Sequence, residues 1–439
     1  MRKVIPSWAS FAALAAMSAI AYVVIALSGQ SLHEEGSGGH SLLVMLGLFG
    51  ICFACYLAAV SIAVRSRPDG TSLAIIVVGA LVFRGLLLFC DPIEEIDIYR
   101  YLWDGAASTS GANPFRYAPQ QVLAVDNGDI LPGDLAKLVA LRDRSPALAQ
   151  ILSRVHFGEL PTIYPPVSQV VFAAATAMTP ATADLRLRMT IMKAWFVSFD
   201  LLTIVVVLKL LRLCGRPDAA VVIYAWCPLV VKEFANSGHL DSLAVFLTAL
   251  SCSIAAKSLF PSAKTATVDC GRGRISRPLW AAFFLGLAVG AKLYPAVLVP
   301  LLLGTVAARR GWRDAIASAF VFLATTACVL YPMLPTQPGL AWKPPVSVEQ
   351  PELNLPPLPP EEIDVSPRDP SQSLRAFLSY WEMNDFLFLL VMENVRPTAH
   401  VPPHERAWFS IVPERWREAL CYSLAELLRL DPDTAPFIF

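Results

Sequence analysis

Nine apolar runs follow one another along the chain, near residues 9–28, 42–64, 72–89, 165–179, 190–213, 219–234, 240–256, 279–306 and 315–333. A run of about 20 such residues is the length of a helix that crosses the hydrocarbon core. In lipid, only helices and closed barrels satisfy their own backbone. The runs therefore predict an all-α polytopic membrane protein. Composition agrees: 55% of residues are hydrophobic and 16% charged, where a soluble domain carries roughly a quarter charged. The formal net charge of +0 lacks the basic excess that a nucleic-acid partner requires. The opening stretch "MRKVIPSWASFAALAAMSAIAYVVIALSG" resembles a signal peptide in outline. Its apolar part is too long for one, and further spans follow, so it reads as an uncleaved first helix. Cys52 and Cys55 form a CxxC inside an apolar run, with no second pair and no nearby His, and read as small buried hydrophobes.

Lys and Arg set the orientation. Arg2 and Lys3 precede the first run, Arg65 and Arg67 follow the second, and the loop between them has neither. The N-terminus is thus expected in the cytoplasm and the loop after the third run outside it. Four regions result: N-terminal transmembrane helices over 1–90, an extracytoplasmic loop over 91–163, a transmembrane bundle over 164–334, and a Pro-rich extracytoplasmic loop with interfacial helices over 335–439. The basic stretches around 257–277 and 309–313 both read as cytoplasmic, yet only the run 279–306 separates them. A break at "AKLYP" resolves the parity, with Lys292 and Tyr294 at a far-side turn between two half-helices. By the same counting, 165–179 is a partial or re-entrant segment.

The third run ends in "DPIEEIDIYRYLWDGAASTSGANPFRYAPQ", residues 91–120. If "EEIDIYRYLWDG" is helical, Glu94, Asp97, Tyr101 and Asp104 share a stripe, with Arg100 beside Asp97. Such a stripe at a membrane boundary either holds a general base with its supporting groups or is a solvated face with a helical ion pair. Charges within apolar runs, at Arg84, Lys193, Asp200, Lys232, Glu233, His239, Asp241 and Lys292, are candidates for function because each costs roughly 2.5–3.5 kcal/mol at a helix centre. Lys193 and Asp200, seven apart, could also satisfy one another. Lys292 at the break could meet a phosphate, as could Arg116 in the rigid turn "NPFRYAP". Tyr164 in "PTIYPPVSQ" offers a polar lip before an apolar helix that starts on prolines. The sequence has no P-loop, no dinucleotide fingerprint and no metal motif such as HExxH, so no cofactor or metal is expected. With no soluble nucleotide-binding domain, an activated substrate has to come from the membrane or from the far compartment, where nucleotides are normally lacking.

"IDIYRYLWDGAASTSGANPFRYAP", "PTIYPPVSQ", "KEFANSGHLDSLAV", "GLAVGAKLYPAVLVPLL" and "WEMNDFLFLLVMENVRP" resemble bacterial GT-C-type glycosyltransferases. The nearest likeness is to the family 87 polyprenyl-phosphate-mannose-dependent mannosyltransferases, over roughly residues 70–439. The resemblance implies a GT-C-like helical bundle whose large first loop, 91–163, carries the active site outside the cytoplasm. It also implies transfer of a hexose, mannose foremost, from a polyprenyl-phosphate carrier to a glycan or glycolipid hydroxyl at the cell membrane. Asp97 matches the family's key acidic residue, with Glu95 and Asp104 as neighbouring catalytic candidates. Arg100, Tyr101, Arg116, Tyr164, His239, Asp241 and Lys292 are the expected substrate-binding set. A lipid phosphodiester is already a good leaving group, so one base suffices, and a single displacement inverts the anomeric carbon. Relatives carry further helices after the stretch resembling "DPDTAPFIF", which implies a truncated chain. Intramembrane charges suit a transporter or lipid flippase equally, and a truncated chain could be an inactive relative; those readings stay open at this point.

Overall fold

The computed structural model describes residues 6–28, 40–65, 69–93, 96–125, 131–259, 273–334, 365–380, 394, 411–419 and 423. Glu94, Glu95, the Pro-rich stretch 335–364, most of "WEMNDFLFLLVMENVRP" and the terminal "DPDTAPFIF" lie outside them. All regular structure among the described residues is helical: α1 (Ser7–Ser28), α2 (His40–Arg65), α3 (Gly70–Leu88), α4 (Asp97–Thr109), α5 (Pro119–Ala124), α6 (Gly133–Asp143), α7 (Pro146–Ser153), α8 (Pro166–Ala177), α9 (Leu185–Leu213), α10 (Val222–Ala225), α11 (Pro228–Val231), α12 (Asp241–Leu259), α13 (Gly273–Ala291), α14 (Val299–Arg310), α15 (Trp312–Leu330) and α16 (Gln372–Tyr380). Two compact units divide the chain, Met1–Pro338 with Glu352–Ser371, and Gly339–Pro351 with Gln372–Phe439. The second contains α16, and there Asn394 Oδ1 accepts from the Ile411 and Val412 amides.

Among the described residues of the first unit, five helices are long and apolar enough to cross a membrane: Ser7–Ser28, Val44–Arg65, Gly70–Leu88, Leu185–Leu213 and Trp312–Met333. Two of their starts, those of α3 and α9, are chemically marked. Asp69 accepts from Ser72 N and Asp184 from Leu187 N, each satisfying an orphan amide of the first turn. Of the remaining apolar runs, 240–256 is the continuous helix α12, and the other three are short or broken. Run 165–179 becomes α8, whose 12 residues cover about 18 Å, short of the ~30 Å core. Run 219–234 is a chain of short pieces: a 3₁₀ turn Asp218–Val221, α10, α11 and a π-helical turn Lys232–Asn236. Pro228, which lacks an N–H, starts a new piece there. Run 279–306 divides where α13 stops at Ala291, and a 3₁₀ turn Tyr294–Leu298 leads into α14.

Between lipid tails and apolar side chains there is little hydrophobic driving force, so packing and buried polar bonds must fix helix positions. Trp226 is 2% exposed, sits edge-on to Phe11 and Phe83, and donates from Nε1 to Ile76 O. Arg84 on α3 pairs with Asp200 on α9, also donating to Ala225 O, while Tyr224 Oη donates to Asp200. Asp200 therefore belongs to Arg84, and the expected pairing with Lys193 does not form. Lys193 Nζ instead donates to Leu87 O (3.1 Å) and Cys90 O (2.7 Å), closing the end of α3. Cys52 and Cys55 are buried free thiols in apolar packing.

α4–α7 form a layer beyond the end of α3. α4 is buried on all sides, from Ile98 through Ala107. Gly105 permits its crossing with α8, since a Cβ there would lie 2.4 Å from Thr176 Oγ1 and 2.5 Å from Phe172 O.

Helix directions follow from contacts at their ends. Ser7 Oγ lies 3.1 Å from Ser72 Oγ, so α1 and α3 start together. Lys292, just after α13, bonds Asp241, which starts α12; Ser168, near the start of α8, donates to Ala291 O at the end of α13. The starts of α8, α9 and α12 and the ends of α3 and α13 thus gather at one end of the bundle, beside Asp97.

Candidate active site

Asp97 opens α4, where a carboxylate complements the helix N-terminus. Tyr164 Oη donates to its Oδ2 at 2.7 Å. Pro165 and Pro166, which start α8 at no hydrogen-bonding cost, deliver Tyr164 to this place from 67 residues away. Tyr101, one turn beyond Asp97, is fully buried, edge-on to Tyr164 (4.9 Å) and Phe196, and stacked on Phe172 at 4.7 Å. Its hydroxyl makes no hydrogen bond within the described residues. Burial first, and then the neighbouring Tyr164, Asp97 and Asp241, hold the Tyr101 hydroxyl well above its usual range. Burial, with Asp97 beside it, does the same for Tyr164. Both phenols are neutral.

Arg100 and Asp104, beside and on the predicted stripe, do not face solvent. Arg100 is buried and donates to the carbonyls of Leu160, His156 and Phe157, at 3.1, 3.1 and 2.8 Å. Desolvation lowers its pKa, and the nearby Asp104 charge opposes that. Asp104, 1% exposed, accepts from Gln169 Nε2 at 3.0 Å, and Gln169 also reaches Thr162 Oγ1 and Tyr164 O. Burial raises the Asp104 pKa despite Arg100 and these hydrogen bonds. Asp104 thus braces the strand of chain that carries Tyr164.

A second group stands at the π turn and the α13 break. Lys292 Nζ donates to Asp241 Oδ2 at 2.6 Å, and His239 Nδ1 lies 3.0 Å from the same oxygen, the Nδ1–H tautomer donating. Lys232 Nζ donates to Glu233 Oε1 at 3.1 Å, and His239 Nε2 is 3.9 Å from Glu233 Oε2. Asp241 lies in the first turn of α12 and Lys292 follows the last of α13, each the charge its helix end favours. Gly238 (φ +69°) turns the chain between the π turn and α12. A Cβ there would press 2.7 Å from Lys193 Cγ and 3.2 Å from Ile98 Cδ1, so the turn packs directly on the residue after Asp97. The Tyr101 hydroxyl lies within electrostatic range of both Asp97 and Asp241.

Two side chains fix the approach to Asp97. Asn236, fully buried in the π turn, accepts from Ile93 N (2.8 Å) and donates to Asp91 O (3.0 Å), while Lys193 holds the carbonyl of Cys90. Neither role was legible beforehand, although Asn236 stands inside the motif "KEFANSGHLDS". Arg116 is not drawn to Asp97 by any contact within the described residues. It lies past the far end of α4, half-buried, with its carbonyl accepting from Arg368 N at 2.7 Å. Among the described residues, no group of His, Cys, Asp and Glu is arranged to hold a metal ion.

A family model described as alpha-(1->6)-mannopyranosyltransferase, N-terminal domain, matches residues 7–309. No curated protein and no solved structure matches the chain. The matched stretch exceeds half of the chain and takes in Asp97, Tyr101, Asp104, Tyr164, His239, Asp241 and Lys292. The chain belongs to the alpha-(1->6)-mannopyranosyltransferase family, polytopic helical membrane mannosyltransferases of the GT-C type.

Proposed function

We propose that the protein moves mannose from a polyprenyl-phosphate carrier to a hydroxyl of a glycan or glycolipid, by inverting displacement at the extracytoplasmic face of the cell membrane. The observation that carries this reading is the Asp97 carboxylate, oriented by Tyr164 at the membrane-proximal start of α4, with the cationic Lys292 and Lys232 and with His239 on the adjoining turn. Asp97 takes the proton of the acceptor hydroxyl as its oxygen attacks the anomeric carbon. The bond from that carbon to the phosphate oxygen breaks, and the electron pair leaves with the polyprenyl phosphate. Lys292, with His239 beside it, meets the phosphate charge; such stabilisation is worth about 10²–10³ in rate where it has been removed from other enzymes. Tyr101, fully buried, backs Tyr164 through their edge-on contact rather than touching substrate. Arg100 and Asp104 position α4 and the Tyr164 segment. Glu95 lies outside the described residues, and Arg116 receives no part in the step. The orientation rests on charge: Arg212, Arg309, Arg310 and Arg313 lie at helix ends away from Asp97, and the positive-inside rule assigns that end, with the N-terminus, to the cytoplasm.

The test is sugar transfer from a synthetic short-chain polyprenyl-phosphate mannose to a total lipid and glycan extract, comparing wild type with Asp97→Asn. The variant should lose at least about 10²-fold, the usual worth of a general base. Near-normal turnover would remove Asp97 from the role, a product of retained anomeric configuration would sink the single displacement, and movement of the intact donor without sugar release would mean a flippase.

A further inference from the structure

The turn after α7 holds a feature that the reaction as proposed does not use. Phe157 has φ +51°, the left-handed region that a bulky side chain avoids. It is the sole non-glycine with positive φ among the described residues. The conformation is held from two sides. Arg100 of α4 donates to the carbonyls of His156 and Phe157, and Gly158 O accepts from Gln120 N at 2.8 Å, just inside α5. Strain fastened in this way belongs to positions where the surroundings over-determine a geometry, and such positions gather at functional sites. Here the geometry presents two aromatic rings. His156 and Phe157 stack face to face, with centroids 4.1 Å apart and planes within 2°, and Phe157 remains 39% exposed. Polar side chains flank the pair in sequence. Exposed Arg154 donates to Tyr99 Oη on α4 at 2.9 Å, and half-buried Glu159 lies close enough to act on Arg100.

An exposed aromatic pair, one ring of it an imidazole able to hydrogen-bond and with Arg154 and Glu159 close by in sequence, matches a sugar ring, whose C–H face is apolar and whose edge is hydroxylated. The surface is also tied to the right helix. Arg100, which clamps the turn, follows Asp97 by three residues, about 4.5 Å along the axis. We infer that the His156–Phe157 pair is an acceptor-docking platform, on which one hexose of a mannose-containing glycan packs while a hydroxyl of that glycan reaches Asp97. This rests on the transferase reading above and extends it to the acceptor. The donor is the less suitable occupant, because its lipid belongs with the apolar spans and the turn lies in the layer α4–α7, which contains none of them.

Binding can be read without turnover. An α-(1→6)-linked mannose oligosaccharide is titrated into the full chain carrying Asp97→Asn, in lipid nanodiscs, by calorimetry and saturation-transfer NMR. Adding Phe157→Gly removes the ring and relieves the positive φ, so folding is kept; a thermal unfolding curve checks it. The expected result is a Kd about tenfold weaker with Phe157→Gly, retained with Phe157→Trp, and saturation transfer to the sugar C–H protons that disappears only in the glycine variant. Equal affinity of the glycine and parent proteins would overturn the platform, as would no binding to the parent. Unchanged sugar binding with weakened vesicle association in the glycine variant would also overturn it, in favour of a headgroup anchor. If the sugar binds as expected but wild type transfers no mannose, the transferase reading fails and the platform stands.

Discussion

Tyr164→Phe isolates one hydrogen bond. The phenylalanine ring keeps the edge contacts with Tyr101 at 4.9 Å and Phe172 at 6.1 Å, so the aromatic cluster is preserved. What is lost is the 2.7 Å bond from Oη to Asp97 Oδ2. Hydrogen bonds to charged groups contribute about 1.5–3 kcal/mol, and each 1.36 kcal/mol in a barrier is tenfold in rate. If the bond's whole effect is to aim the base, kcat falls roughly 10- to 150-fold while KM for both substrates stays near wild type. Single-turnover transfer from a labelled donor measures this without interference from product release. The pH dependence is a second reading. Burial and Asp97 raise the Tyr164 pKa, so its neutral, donating form persists to higher pH than in free tyrosine, where ionisation centres on about 10. The ratio of wild-type to variant rate should therefore be flat from about pH 6 to 9. A kcat within twofold of wild type would refute the orienting role. A ratio that collapses below pH 9 would show that Tyr164 ionises, contrary to its burial.

Lys292→Ala should lower kcat about 10²-fold through the unneutralised phosphate while leaving acceptor KM unchanged, and a double-mutant cycle with Asp241→Asn should return a coupling of about 0.5–3 kcal/mol. Additive effects would separate the two residues functionally despite their 2.6 Å contact. Asp104→Asn should fold and unfold at a temperature no lower than wild type at neutral pH. Burial raises the folded-state pKa of Asp104, so its neutral form favours the fold below the unfolded pKa, and that advantage is lost as pH rises through the raised value. The gap between variant and wild type should accordingly close on acidification; a gap that widens instead would mean that the ionised form is the one the fold prefers.

The helical membrane class could be read from runs of apolar residues because the bilayer imposes length and backbone satisfaction on each segment separately. The same local reading treated 219–234 as one segment, although Pro228 and the Lys232–Glu233 pair stand within it; the structure resolves it into short pieces with a π turn. Pairings across the fold were beyond it. Lys193 and Asp200 share a helical face at a spacing of seven, yet Arg84, 116 residues from Asp200, takes the carboxylate. The Arg100 guanidinium, expected beside Asp97, points instead at carbonyls nearly 60 residues on. Periodicity reports which face a residue occupies and is silent about which neighbour supplies the partner. Motif likeness singled out Asp97, and only the folded chain brings Tyr164 to it.

The closure of α3 bears on what competes with the acceptor. Water is itself a hydroxyl nucleophile, and at millimolar sugar it outnumbers any glycan by orders of magnitude. A helix that ends at a membrane rim ordinarily draws water to its last carbonyls. Here the ammonium of Lys193 takes the carbonyls of Leu87 and Cys90, and the amide of Asn236 takes Asp91 O and Ile93 N, so these four backbone groups need no water. Under the transferase reading, the partition between productive transfer and wasteful hydrolysis is set in part by two side chains that never touch a sugar.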